Sequence, residues 1–571
     1  MPIRSRFRLP AAAAGLLLVA GCSAPAGPAQ PPSSAPAATA EPTPSATAEP
    51  TPSASATSEA PADSLLKDHA VSAAHPAAVE AGMGILDAGG NAADAAVATA
   101  FAVAVVEPFA SGIGGGGSAV LAAAGGEPVA YDYREVVAQD GVIPESGTGI
   151  PGFVAGLARI HEEQGELEWA ELLQPAIGLA ENGFEITAFL AHRMDSDAGP
   201  AALGDLPQFN SWGGVFPLGE GDELVQQDLA DTMRVLADEG PEAFYTGSLV
   251  KDLSRVDGID ARSLAAYRPE RLEPARGAFG EYDVVSAAPA LPGAALVQML
   301  QIAEELGAGS AEPGSADYVD RISRAWTVAD ASVTEEFGDP RFVDVPVDRL
   351  TDAEANARLA RESATAAGAA ADRPLASAAR AIVPGNTTHL TVVDSDGLTV
   401  SMTNTITNFW GGGAAESVGG FFLNNQLSRF ASLDTPNNQP APGRKSVSWA
   451  APSLVLDGEG RAVLGLGSPG GHQIPNILTG VLVPWALQGA SLQEAVDAPR
   501  HHLQDGVIAL EREPGESLGG FIRSRGWEQQ VTTRQDAVFG SVQALEIDYD
   551  SGTITGATDS RREAAFKVAQ P

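Results

Sequence analysis

Apolar positions recur at helical spacing through much of residues 64–380 and at every second position beyond residue 387. The run "HPAAVEAGMGILDAGGNAADAAVATAFAVAVVEP" predicts two helices around a Gly-Gly-Asn break. The second is apolar on most faces and therefore buried. "EPVAYDYRE" alternates as a strand and delivers Arg134 at its end, and "GELEWAELLQPAIGLAENGFEIT" reads as an amphipathic helix closed by Asn-Gly. Residues 354–380 are small and polar with no clear period, which predicts an exposed, mobile approach to the Thr-Thr pair at 387–388. Beyond residue 387 three hairpins are expected, in "HLTVVDSDGLTVSMTNT", "SLVLDGEGRAVLGLGSPGG" and "ALEIDYDSGTITGATDS". With a helix near 475–498 between them, they predict packed sheets covered by helices. No repeat period is evident.

A chain of 571 residues has room for two or three domain-sized units. Apolar content of 44% and charged content of 19% are those of a globular protein. Against 34 Lys+Arg stand 73 Asp+Glu, a net charge of −39 that repels phosphate backbones and anionic lipid and so disfavours nucleic-acid binding. The plain reading of that acidity is a solvated surface, which says nothing about substrate. The single cysteine, Cys22, rules out an intrachain disulfide and a cysteine-based zinc site. Arg4, Arg6 and Arg8 precede the short apolar run "AAAAGLLLVA", the layout of a signal peptide and too short to span a bilayer. "LLLVAGCSA" resembles the lipobox of bacterial lipoproteins, with Cys22 as the lipidated residue; a plain secretory signal with an incidental cysteine is the alternative. Residues 23–63, rich in Pro, Ala, Ser, Thr and Glu, form no core and read as an extended tether. The expectation is export, with the folded part held near the outer face of the membrane.

Three motifs invite readings that their contexts oppose. "SGIGGGG" fits G-x-G-x-x-G through Gly112, Gly114 and Gly117, but a helical run precedes it where a dinucleotide site needs a strand. A close backbone turn is the better account. "GESLG" around Ser517 fits a nucleophile elbow but comes after "EREP" and reads as the start of a surface helix. His501 and His502 of "RHHLQD" are adjacent, so on a strand they point opposite ways, which disfavours a shared metal.

The stretch "PGNTTHLTVVDSDG" at 384–397 places two threonines and a histidine at the mouth of a strand. Read plainly, it is a loop entering a hairpin, since threonine favours strands. Read chemically, scission before a threonine makes its own α-amine terminal. Such an amine titrates near physiological pH and can take the hydroxyl proton, turning a weak nucleophile into a competent one. Asn386–Thr387 suits this, with a linker before it and a strand after it.

At "NTTHLTVVDSDGLTVSMTNT" the chain resembles the γ-glutamyltranspeptidase family of N-terminal-nucleophile hydrolases. "SGIGGGG", "YDYRE", "GIPGFVAGL", "FFLNNQ", "LGSPGGHQIPN" and "GATDSRRE" resemble its other signatures, in order, from about residue 65 to 565. The resemblance implies a four-layer α/β/β/α sandwich, self-cleaved into a large subunit (64–386) and a small one (387–571) that pair as a heterodimer. It implies Thr387 as nucleophile, Thr405 as the second threonine bonded to it, and Gly470 and Gly471 as the oxyanion-hole pair. Arg134 matches the arginine that holds the donor's α-carboxylate, for which a planar fork is apt, and Gln426 and Ser448 match other donor-pocket residues. The plain alternatives are a core hydroxyl for Thr405, a turn for Gly470–Gly471 and a surface ion pair for Arg134. No metal or organic cofactor is implied. The substrate would be a small γ-glutamyl amide such as glutathione, and water or an amine would accept the acyl group.

The donor pocket departs from the family at three places. Arg429 stands where an aspartate for the substrate's ammonium is expected, Trp449 replaces the second of a serine pair, and Thr407 replaces an asparagine, with Asn408 adjacent. A guanidinium in place of a carboxylate repels an ammonium and favours a second anionic group. Arg134 and Arg429 together would suit a dicarboxyl acyl group such as glutaryl. The segment "FASLDTPNNQPAPGRKSVSW" is short beside members that carry a lid, which would leave the site open to water. A non-catalytic surface lipoprotein of the same fold is the third reading.

Overall fold

A computed structural model describes residues 64–196, 198–204, 206–211, 216–366, 382, 385–413 and 417–571. Among the described residues two antiparallel sheets face each other. Strands β1 (His69–Ala73), β2 (Gly116–Ala122), β3 (Val129–Asp132), β4 (Glu270–Leu272), β5 (Ala275–Phe279), β6 (Tyr282–Ser286), β7 (Thr388–Val393), β8 (Thr399–Thr405), β9 (Ser453–Leu456), β10 (Ala462–Gly467), β11 (Gln543–Asp548), β12 (Thr553–Ala557) and β13 (Ala565–Ala569) build them. The seven-stranded sheet runs β13-β1-β7-β8-β2-β3-β4 and the six-stranded sheet β12-β11-β10-β9-β6-β5.

Helices cover both outer faces. Helices α1 (Pro76–Asp87), α2 (Ala92–Val106) and α3 (Trp169–Asn182) share one apolar core with the seven-stranded sheet. Helices α4 (Gly293–Glu305), α5 (Ala316–Glu336), α6 (Ala353–Ala366) and α7 (Ile474–Gln488) pack with the six-stranded sheet around a second core. The chain is therefore the four-layer α/β/β/α sandwich that the resemblance implies. Every residue of α2 is buried, as its all-round apolar pattern requires, and Asn91 with Asp94 forms a capping box at its start.

The layer between the sheets is part apolar, part polar. Ser401 donates to the Leu466 carbonyl at 3.0 Å and Thr391 to that of Gln543 at 3.2 Å, so hydroxyls tie one sheet to the other. His389 lies in this layer, its ring 2.8 Å from the Thr403 hydroxyl, and Gly467 faces it because a Cβ there would fall within 2.2 Å of the ring.

Both helices around the Gly-Gly-Asn break, the strand of "EPVAYDYRE", the helix closed by Asn-Gly and all three hairpins form where expected. The region near 475–498 holds α7 and a second short helix, Leu492–Asp497. Residues 354–366 correct the expectation of an irregular approach: they lie in α6, with Ala360 fully buried. The remainder of that segment, like the signal, Cys22 and the tether at 23–63, lies outside the described residues. Among the described residues, the first half of the chain also contributes six strands to the two facing sheets, in what reads as mainly helical sequence.

The misleading motifs resolve as their contexts require. The glycine run passes between neighbouring backbones: a Cβ at Gly114 would lie 2.2 Å from the Phe422 carbonyl and one at Gly115 2.2 Å from that of Thr405. Close approach, rather than phosphate binding, fixes these glycines. "GESLG" opens α8 (Glu516–Arg525), with Ser517 exposed. His501 and His502 point apart, toward Tyr318 and toward Trp326 and His472.

Candidate active site

The β7–β8 hairpin pairs Thr388 with Asn404, so Thr387 and Thr405 fall opposite each other at its open end. The Thr387 hydroxyl lies 3.2 Å from that of Thr405, which also accepts the Thr407 backbone N–H at 2.8 Å. Thr387 and Thr407 hold φ of +145° and +84°, both unusual for β-branched residues. Such conformations cost about 1–3 kcal/mol each and need surrounding bonds to maintain them.

Gly470 and Gly471 occupy the turn between β10 and α7, at φ +143° and +57°. Gly385 rests directly on the peptide that joins them: a Cβ on Gly385 would stand 2.0 Å from the Gly470 carbonyl carbon and 2.3 Å from the Gly471 nitrogen. Gly385, two residues before Thr387, therefore lies against the glycine pair.

From the threonines, hydrogen bonds run to Arg134. The Thr407 hydroxyl donates to Gln426 Oε1 at 2.6 Å, and Gln426 Nε2 donates to the Ser446 hydroxyl at 2.9 Å. Arg134 Nη1 then donates to the Ser446 carbonyl at 2.7 Å. Thr407, not Asn408, reaches Gln426; the Asn408 backbone carbonyl instead accepts from Asn386 Nδ2 at 2.8 Å. Asn424 binds the Gly114 and Gly149 carbonyls, both at 2.9 Å, and so joins three of the quoted motifs at one point.

Arg134 is 1% exposed and pairs bidentately with Asp132, through Nε at 3.0 Å and Nη2 at 2.7 Å. Lys445 also reaches Asp132 at 3.3 Å and bonds Glu270. Burial alone would raise the Asp132 carboxyl, but Arg134 and Lys445 hold it well below the usual range. The ion pair is thus buried rather than at the surface, and it leaves two of the five guanidinium N–H groups outside the bonds to Asp132 and Ser446.

Ser446 rather than Ser448 joins the network. Ser448 is buried two residues further along, with its N–H 3.5 Å from the Ala290 carbonyl. Trp449 packs edge-on against His472, ring centres 4.3 Å apart, and His472 comes directly after Gly471. Arg429 is partly buried; burial lowers its pKa, and among the described residues its Nε finds no partner. His389 is pushed by burial down to about 3, so it is neutral and unavailable as a proton acceptor cycling near neutrality. Among the described residues no cluster of His, Cys, Asp and Glu is arranged for a metal ion.

Asp132, Ser446 and Arg562 are the residues that sequence reading passed over. Ser446 was findable, since Ser-Val-Ser in an extended segment sends both hydroxyls to one side. Arg562 lies inside the quoted "GATDSRRE" but carries no role there.

A family model described as Gamma-glutamyltranspeptidase matches residues 78–569. The capsule biosynthesis protein CapD proenzyme of Bacillus anthracis is 34% identical over 504 residues, covering 87% of this chain and 90% of that protein. The acylase ACY 1 proenzyme of Pseudomonas sp. strain SE83 is 34% identical over 518 residues, covering 85% and 90%. The crystal structure of cephalosporin acylase from Bacillus halodurans superposes with a TM-score of 0.76 at 24% identity, over 90% of this chain and 98% of that one, and so matches in fold. The chain belongs to the γ-glutamyltranspeptidase family of N-terminal-nucleophile hydrolases.

Proposed function

We propose that the protein is an exported acyl-transfer amidohydrolase that matures by scission of its own Asn386–Thr387 bond. The large subunit is residues 64–386 and the small subunit 387–571. Thr387 attacks a γ-glutamyl-type amide such as that of glutathione, its freed α-amine takes the hydroxyl proton, and an acyl-enzyme forms. Thr405 orients the attacking oxygen, the Gly470 and Gly471 N–H groups receive the developing oxyanion, and water or an amine accepts the acyl group. Arg134, Gln426 and Ser448 would hold the donor's carboxylate. Lipidation at Cys22, with the tether behind it, would hold the enzyme at the outer face of the cell membrane.

The observation that carries this reading is convergence: the Thr387–Thr405 contact at 3.2 Å and the Gly470–Gly471 peptide meet on either side of residues 385–387. The CapD and ACY 1 relatives both bear the name proenzyme, which supports maturation by cleavage. Intact-mass analysis and amino-terminal sequencing of purified protein test it. A small fragment beginning at Thr387 is expected, and a single full-length species would overturn it.

A second reading of the donor comes from Arg429, whose Nε finds no partner among the described residues, and from Trp449 in place of a serine. An acyl group ending in a second carboxylate, glutaryl-like, would neutralise that charge where an α-ammonium would be repelled. A relative that bears the name acylase supports an acyl donor other than γ-glutamyl. Release of aniline from γ-glutamyl and glutaryl anilides separates the two: turnover of the glutaryl compound alone would displace the γ-glutamyl assignment.

A further inference from the structure

One side chain outside the roles above grips both sides of the bond to be cut. Arg562, between β12 and β13, donates through Nη2 to the Gly385 carbonyl at 2.7 Å and through Nη1 to the Thr387 carbonyl at 3.2 Å. These carbonyls flank that of Asn386, so the guanidinium fork straddles the Asn386–Thr387 peptide. Asn386 is held from another direction, its Nδ2 donating to the Phe109 and Asn408 carbonyls at 2.7 and 2.8 Å.

The grip is built into the fold. Arg562 is 5% exposed and stands over the Phe189 ring, its central carbon 5.4 Å from the centroid; Arg193 stands over the same ring. Its loop is anchored three residues earlier by Asp559, which bonds Arg500 at 2.7 Å and the Val542 N–H at 2.8 Å. Buried Glu107 attracts the guanidinium without a direct bond. Burial of a cation against backbone carbonyls, with no contacting acid among the described residues, costs enough to call for a function. A planar fork suits two acceptors spaced along one turn, which an ammonium cannot grip together.

We infer that Arg562 is a positioning residue for self-cleavage, holding Thr387 at its positive φ so that its hydroxyl faces the Asn386 carbonyl carbon; this rests on the scission proposed above. In that step Thr387 Oγ bonds to the Asn386 carbonyl carbon, the C–N bond breaks, and the hydroxyl proton passes to the departing nitrogen. Water then hydrolyses the resulting ester, leaving the Asn386 carboxylate, the Thr387 hydroxyl and a free α-amine. After maturation the Nη1 bond to Thr387 remains, so Arg562 goes on orienting the nucleophile's backbone without touching the donor.

The test monitors release of the small subunit on denaturing gels for full-length parent, Arg562→Ala, Arg562→Lys and Thr387→Ala, with thermal unfolding recorded for each. Arg562→Ala should mature at least 100-fold more slowly, and guanidinium chloride at tens of millimolar should restore scission. Arg562→Lys should mature at an intermediate rate, and its mature fraction should show lowered kcat with KM within twofold of the parent. Parent-rate maturation of either Arg562 variant, or no guanidinium rescue of a folded Arg562→Ala, overturns the inference while leaving the scission reading intact if Thr387→Ala stays whole. Should Arg562→Ala fail to fold, the Arg562→Lys rate and its kcat decide. Maturation of Thr387→Ala would instead overturn the scission reading itself.

Discussion

The Thr405 oxygen serves two neighbours at once, the Thr387 hydroxyl and the Thr407 N–H, so removing it should loosen the proposed nucleophile and orphan a buried donor. A loss of about 1.5–3 kcal/mol lowers a rate about 10- to 100-fold. Thr405→Ala should therefore reduce kcat by that factor with little change in KM, and Thr405→Ser should recover most of it, as steady-state kinetics would read. The pH profile tests the identity of the base. A terminal amine titrates at about 7.7–8.0 and acts only when neutral, so kcat/KM should be full above that range and fall as pH drops through it. His389, already neutral because burial holds it to about 3, should add no inflection of its own. An acid limb near 6.5 that disappears in His389→Asn would move the base role to the histidine. At this scale the sequence is informative for residues on regular strands: Thr387 and Thr405 sit in register eighteen positions apart across one hairpin. It is silent where a contact depends on an irregular segment, as with Ser446 under Gln426, or on a side chain far along the chain, as with Arg562 at the Thr387 carbonyl.

Helices and hairpins with one apolar face were legible because period alone places them: α2 is buried all round and predicted so, and β7–β8 alternates up to its Asp-Gly turn. Helix α6 was missed for a definite reason. Its inward face carries Asn356, whose Nδ2 donates to Gln301 and whose Oδ1 accepts from Gln298, both on α4, so a polar contact replaces the apolar stripe. The strands β1, β5 and β6 are only five residues long, too short for alternation to stand out among alanines. The glycine run offers the prediction that belongs to this scale. Because β2 opens where Gly115 presses on the Thr405 carbonyl, Gly115→Ala should push the end of β8 outward without any contact to substrate. Overpacking of this kind costs about 1–3 kcal/mol, so unfolding temperature should fall by several degrees and maturation should slow. Unchanged melting and unchanged maturation would show that the strand end has slack that the geometry denies.

Cutting the chain before Thr387 would divide the sequence but not the sheets. In the seven-stranded sheet β1 lies between β13 and β7, and β2 lies beside β8, so a strand from before the cut is inserted among strands from after it and the two sets meet again at β8–β2. In the six-stranded sheet β6 from the first part pairs with β9 from the second. Each piece alone would expose edge strands along its length and lose part of both cores, since α2 packs on β7 and β8 and α4 packs beside α7. Folding must therefore precede scission, and the products must remain one body. Mature protein should elute from size-exclusion columns as a single species containing both fragments, stay intact in high salt because backbone ladders and apolar burial rather than surface charge join the halves, and separate only in denaturant. Residues 387–571 expressed alone should be insoluble, with β7 left without β1 and β8 without β2. Recovery of that fragment as a soluble, cooperatively melting protein would mean that the interleaved strands are not what holds the two parts together.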